Sequence, residues 1–254
     1  MIFLKKLVFV VLFLCLVNTL KAQQSFITQQ KLFPRVDGAF KQREDSLKRQ
    51  FNQLKLKYPP KQIYLRSFKY DSELEVWIRD NKQDSFKLLK TYKVCALSGA
   101  LGPKRIEGDY QVPEGFYQIN EFNPKSLYHL SLGINYPNAS DQLLSDSLKP
   151  GNEIYLHGGC ITVGCIPIKD VQIEELYILA SYAKENGQDF IPIHIFPIRY
   201  NVKKSFEYLA INSKDNEKYQ LFAVTLQDVF DYFNYYKKLP IIAIDNKGNY
   251  SVIK

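Results

Sequence analysis

Histidine is scarce in this chain, with three among 254 residues, and cysteine is nearly as rare, with four. No CxxC-type pair occurs and no further ligands stand at matching spacing, so a structural zinc site lacks its ligands. Blocks of five like charges are absent, as are paired Cys/His knuckles and a glycine-aromatic RNA signature. The usual footprints of nucleic-acid binding are therefore missing. Beyond the N-terminus no apolar run is long enough to cross a bilayer, which takes about 20 residues. There is no internal repeat and no low-complexity segment, and nothing asks for a metal or an organic cofactor.

What is present begins with MIFLKKLVFVVLFLCLVNTLKAQQSF. Two lysines precede an apolar run from Leu7 to Val17, followed by Lys21-Ala22 and a polar Gln23-Gln24. That is the charged, apolar and small-residue order of a secretory signal peptide, with cleavage after Ala22. Leu14 is too large for a lipoprotein cleavage site before Cys15, so Cys15 belongs to the discarded residues 1–22. The chain is thus expected in the periplasm or cell envelope. Removing Lys5, Lys6 and Lys21 takes the formal charge from +8 to +5, an excess too modest and too dispersed to choose a partner. Cys95, Cys160 and Cys165 remain. An odd number in an exported chain leaves at least one thiol unpaired, and oxidising compartments tend to remove idle thiols.

The rest is read in three parts, a helical segment 23–60, a central region 61–200 and an extension 201–254. Phe40, Leu47, Phe51 and Leu54 form one helical stripe, stopped by Pro59-Pro60. IYLRSF, ELEVWIRD and SFKLLKTYKVCAL predict an antiparallel meander, with a hairpin loop at Asn81–Asp84. Gly99, Gly102, Pro103, Gly108, Pro113 and Gly115 then punctuate an extended loop. LYHLSLGI predicts a strand, 135–153 a long polar connection, and Glu153–His157 a strand with Ile154 and Leu156 on one face, Tyr155 and His157 on the other. Asp170 is predicted to cap a helix with Ile173, Leu176, Tyr177 and Ala180 inward, closed by Gly187. IPIHIFPIRY is a proline-bounded strand. A helix starting at Thr225-x-x-Asp228 and a hairpin around Asn246-Lys247-Gly248 complete the chain. The class is α+β, on a largely antiparallel sheet.

The stretch 154-IYLHGGCITVGCIPIKD-170 concentrates the reactive residues. A cysteine attacks as thiolate, yet its ordinary pKa of ~8.5 leaves little thiolate at neutral pH. An imidazole nearby can take the proton and hold the resulting ion pair. His157 ends a strand, and the glycine-bearing loop after it can fold Cys165 back toward it. Gly164 lets a substrate carbonyl approach, and amides at a tight turn can hold an oxyanion. Spacing alone also allows a Cys160–Cys165 disulfide, or a merely buried thiol. Catalytic, bridged and buried readings all stay open on this ground.

The motif H-G-G-C-I-T-V-G-C-I-P-I resembles the signature of the L,D-transpeptidase catalytic domain family (YkuD-type), and its short interval is similar to the YafK-like murein-acting branch. Most members carry a second histidine directly before Gly-Cys; Val163 stands there instead. SGALGPKRIEGDYQVPEGFYQI, YHLSLGINYPNASD and HIFPIRY extend the likeness over roughly Ile63 to Tyr200. The resemblance implies an L,D-transpeptidase-like fold for 61–200, with Cys165 as nucleophile and His157 as general base. It implies oxyanion and loop support from Gly164, Thr162 and Gly158, and no cofactor. The implied substrates are peptidoglycan stem peptides, attacked through a Cys thioester. An amine acceptor then gives crosslinks or attaches protein, and water gives cleavage, including release of wall-linked protein. A non-catalytic wall-binding module with Cys160 and Cys165 bridged is the reading from a different class.

Other residues fall outside the motif. Lys104 and Arg105 can grip a stem-peptide carboxylate or be solvated loop charges. His129 is a structural strand residue, or else a base or substrate contact, and His194 is a satisfied strand histidine. Cys95, in VCAL, reads as a small hydrophobe.

Overall fold

A computed structural model describes residues 24–253. The signal-peptide expectation for residues 1–22, including Cys15, lies outside the described residues. Among the described residues no helix is long and apolar enough to cross a membrane.

A short helix, α1 (Phe26–Gln30), precedes α2 (Pro34–Gln53). Pro34 occupies the first turn of α2, where its missing N–H costs nothing and its fixed φ suits a helix. The helix therefore starts before the Phe40 stripe. Val36, Ala39, Phe40, Leu47 and Phe51 are buried, whereas Leu54 lies past the last turn and is 45% exposed.

The meander follows as β1 (Gln62–Phe68), β2 (Glu73–Arg79) and β3 (Lys87–Lys93), paired antiparallel. The glycine-rich loop leads to β4 (Gly115–Asn123) and β5 (Ser131–Ile134). Within the predicted polar connection lies a helix that spacing did not reveal, α3 (Ala139–Leu144). Asn138 caps it in a reciprocal box with Asp141. Next come β6 (Tyr155–His157), the two-residue β7 (Ile166–Pro167), α4 (Asp170–Glu185) and β8 (Ile191–Phe196). The extension contributes α5 (Lys203–Ser213), α6 (Glu217–Tyr236) and the hairpin β9 (Ile241–Ile244) and β10 (Tyr250–Ile253). Helix α5 was not predicted. Helix α6 starts eight residues before Thr225, capped by Asn216, and the Thr225 hydroxyl donates back to the Leu221 carbonyl instead of capping.

The eight strands form one mixed sheet in the order β3-β2-β1-β8-β4-β5-β6-β7. Five neighbouring pairs are antiparallel; β1–β8 and β6–β7 are parallel. A long crossover makes β1–β8 parallel, as is usual. The β6–β7 pair is different. Parallel strands ordinarily need a dozen or more connecting residues, but here only 158–165 join them.

Alternation assigns the two faces. Leu65, Leu74, Tyr117, Leu156, Ile166, Ile193 and Ile195 join α2 and α4 in the main core. The opposite face carries Phe68 and Phe196 against Leu209, Leu226 and Phe230 of α5 and α6, with Tyr64 and Trp77 against Phe233 beside them. The molecule has three layers: α2 and α4, the sheet, then the C-terminal extension. The α+β class holds, with the sheet mixed.

Candidate active site

The site is built by the short connection between β6 and β7. Because Leu156 pairs with Ile166 and His157 with Pro167, and Leu156 and Ile166 face the main core, His157 and Cys165 share the opposite face. Adjacent strands ~4.8 Å apart and a ~3.3 Å rise per residue put their Cα atoms about 8 Å apart in regular geometry. Side chains can close that gap.

Turning the chain through so short a connection demands glycine. A Cβ at Gly158 would lie 2.5 Å from Asp170 Oδ1 and 2.8 Å from the Tyr128 carbonyl oxygen. Gly164 has φ 144°, and a Cβ there would stand 3.1 Å from the Gln111 carbonyl oxygen. Thr162 closes the turn. Its Oγ1 donates to the Cys165 carbonyl at 2.7 Å and accepts the Gly164 N–H at 3.0 Å. The Gly164 amide is thus used inside the loop. Asp170 is not the cap of α4; Lys169 holds that position with φ 64° and no side-chain cap bond. The Asp170 carboxylate turns back to accept the Gly159 N–H at 2.7 Å, so it secures the loop.

His157 is buried, 2% exposed, under the Tyr128 ring at 4.7 Å. Its Nδ1 bonds to the Gly158 carbonyl. A carbonyl only accepts, so Nδ1 carries the hydrogen and Nε2 is the basic nitrogen. Burial lowers the His157 pKa from 6.5, opposed by the Gly158 bond. Burial likewise raises Cys165 above 9.0. The Tyr155 amide lowers it, Glu153 raises it and Lys104 lowers it. Both shifts favour the uncharged forms, thiol and imidazole. Among the described residues no hydrogen bond joins Cys165 to His157. The thiol donates toward the Glu153 carbonyl at 3.6 Å.

The other cysteines are not as predicted. Cys160 is bridged to Cys95, so Cys95 is no free small hydrophobe and the Cys160–Cys165 disulfide does not form. Cys165 is the free cysteine among the described residues. The odd count pointed to an unpaired thiol, but a partner 65 positions away left no local signal.

Lys104 and Arg105 are not loose loop charges. Lys104 is buried, with Nζ 2.5 Å from Asp109 Oδ1 and 2.9 Å from the Ile106 carbonyl. Arg105 sits 2.8 Å from Asp141 Oδ1. His129 lies in a turn at φ 70°, before β5, with Nε2 2.8 Å from Glu174 Oε1. His194 is fully packed, bonded to the Tyr64 hydroxyl at 2.8 Å. Reading the sequence missed Tyr128 over the imidazole and Gln111 behind Gly164; both come from distant segments that no spacing connects.

A cavity of about 730 Å³ lies between the glycine-rich loop, α6 and the hairpin turn, and Gln111 links it to the site. Among the described residues no group of three or more His, Cys, Asp or Glu side chains is arranged to hold a metal.

No protein-family model matches the chain. It is 31% identical over 194 residues, covering 76% of this chain and 74% of the relative, to the Escherichia coli (strain K12) protein named "Putative L,D-transpeptidase YafK". The Escherichia coli O157:H7 protein of the same name matches equally. Among solved structures, the helical cell shape determining protein Pgp2 from Campylobacter jejuni aligns at 20% identity over 75% of each chain, with a TM-score of 0.44. Bd1075 from Bdellovibrio bacteriovorus aligns at 22% identity, over 75% of this chain and 79% of its own, with a TM-score of 0.40.

Proposed function

Since the chain belongs to the YafK family of L,D-transpeptidase-like proteins, we propose that it is an exported cysteine enzyme acting on peptidoglycan stem peptides through a thioester on Cys165. The observation that carries this reading is that the free thiol and an imidazole with fixed Nδ1–H share one sheet face across a short glycine loop.

In this mechanism His157 Nε2 takes the Cys165 proton as the sulfur attacks the stem-peptide carbonyl. Hydrogen bonds of this kind are often long in the empty site and tighten with substrate. The oxyanion is held by the Cys165 amide and by the Gly164 amide once Thr162 releases it. The imidazolium then protonates the leaving D-alanine amine as its C–N bond breaks. An amine or a water attacks the thioester, with His157 again taking the proton. A neutral resting pair fits this sequence, because proton transfer is drawn by substrate and not stored beforehand.

Cys165→Ala, incubated with defined tetrapeptide muropeptides, is expected to lose at least ~1,000-fold of the activity with an unchanged melting temperature. Full turnover by that variant ends the reading. Mass spectrometry of the products separates transfer, seen as crosslinked dimers, from hydrolysis, seen as trimmed monomers or released wall-linked protein. The non-catalytic module loses its support, because the bridge it needed is made elsewhere. Lys104 and Arg105 serve in this proposal by shaping the glycine-rich loop, with Lys104 adding positive charge near the sulfur; His129 serves by holding α4 through Glu174.

A further inference from the structure

The stretch between His157 and Cys165 has little packing of its own. Ile161 and Val163 are 71% and 66% exposed, so apolar burial does not hold its centre. Its polar ties sit at its ends: Gly159 on Asp170 and Lys169 at one, Thr162 with Gly164 and Cys165 at the other. The middle is held by the Cys160 bond to Cys95. Cys95 is a firm anchor, because its N–H bonds to the Pro167 carbonyl at 3.0 Å and so ties it to the edge of β7. The bridge therefore joins the site loop to the strand flanking the nucleophile. Cys160 is exposed and Cys95 partly so, which leaves the bond open to a soluble thiol.

We propose that Cys95 and Cys160 are positioning residues whose disulfide sets the approach of Cys165 to His157, so that the site is competent only when this bond is oxidised. A dithiol reductant such as dithiothreitol donates two electrons and two protons. The S–S bond breaks to give the Cys95 and Cys160 thiols, and the dithiol closes to its cyclic disulfide. The loop between β6 and β7 then keeps its ends but loses its centre, and a misplacement of ~1 Å between reacting groups can cost about 100-fold. The inference rests on the enzyme reading above for its kinetic readout, though not for its chemical one.

The test uses the whole exported chain. Wild-type protein is reduced in place with dithiothreitol and compared with Cys95→Ser/Cys160→Ser, well below the melting temperature of each, with circular dichroism reporting the folded fraction. On tetrapeptide muropeptides both forms are expected to lose about 100-fold in kcat while KM stays within about twofold. Re-forming the bond in a glutathione redox buffer restores kcat in the wild type and not in the double variant. Independently of turnover, the iodoacetamide reaction rate of Cys165 is expected to change severalfold on reduction, read by peptide mapping. If the alkylation rate moves but no muropeptide is turned over, the positioning role stands and the wall-peptide reading fails. Reduced protein with kcat and alkylation rate within twofold of the oxidised form, or activity falling only in step with the folded fraction, overturns the proposal.

Discussion

One face of the sheet is an almost uniform apolar layer, where Leu65, Leu156, Ile166, Ile193 and Ile195 meet α2 and α4. The same strands send Arg66, Glu75, His194 and His157 to the opposite face, all at most 4% exposed. On the first side burial needs only shape and apolarity. On the second each polar group must find a partner or stay neutral. Arg66 and Arg199 both bond to Glu75, at 2.6 Å each, and Trp77 adds its Nε1–H at 2.7 Å. Burial raises the Glu75 carboxyl, but Arg66, Arg199 and Trp77 more than offset that and leave it below its ordinary value. His194 takes the other course and stays uncharged. The two sides differ in what a substitution does. A truncated aliphatic leaves a hole, whereas a deleted partner leaves a buried charge.

The largest effect expected from this contrast is Glu75→Ala, which removes the carboxylate from buried Arg66 while Arg199 keeps Glu73, and should cost ~4 kcal/mol in urea unfolding. A loss under ~1 kcal/mol would mean that the polar face tolerates unpaired charge and that the contrast is not real. Leu156→Ala, on the aliphatic face and fully buried, should cost ~3 kcal/mol. Its neighbour one strand over, changed by Cys165→Ala, should stay within about 0.5 kcal/mol of wild type. Equal losses at these two positions would erase the distinction between core and site.

Acid should separate the faces next. The His194 pKa falls from 6.5 to about 3 through burial, with Arg66 adding to the shift. The unfolded chain therefore binds a proton between those values that the folded chain refuses, and stability must fall as pH drops below 6.5. Between pH 7 and pH 5 this group alone should remove about 2 kcal/mol. His194→Gln, which keeps a partner for Tyr64 but cannot titrate, should show a shallower decline in the urea midpoint; identical slopes refute the assignment. The smallest effect concerns the site itself. In the proposed mechanism neutral His157 is the base, and its pKa is depressed, so the acid limb of kcat/KM should lie below pH 6.5. Cys165 is raised, so its alkylation rate without substrate should keep climbing past pH 9. A thiol fully reactive at pH 7 would point to a preformed ion pair instead.

Much of the aliphatic face was legible in the sequence, because period is a local property. The stripe through Phe40, Leu47 and Phe51, the alternation of Ile154 and Leu156 against Tyr155 and His157, and the inward set on α4 follow from residues a few positions apart. Where the reading slipped, a local rule met a distant competitor. Asp170 has the chemistry of a cap, but the Gly159 amide claims it. Arg105 and Lys104 read as free cations until Asp141 and Asp109 fold against them. The helices α3 and α5 lack long apolar stripes, and α3 is held by its capping box.

The composition and order of 154–170 by themselves determined that a histidine and a thiol would flank a glycine turn, since the chain cannot separate residues it joins so closely. If residues 1–22 are removed as expected, three cysteines remain, and an odd number requires one to stay unpaired. Which one was a matter for the tertiary structure alone. Cys95 reaches Cys160 because β3 leads the chain to the edge beside β7, and covalent geometry accepts whichever sulfurs the fold brings within reach. The pull of the imidazole and thiol toward their uncharged forms was decided in the same way, because desolvation depends on the layers that close over a group and not on its neighbours in sequence.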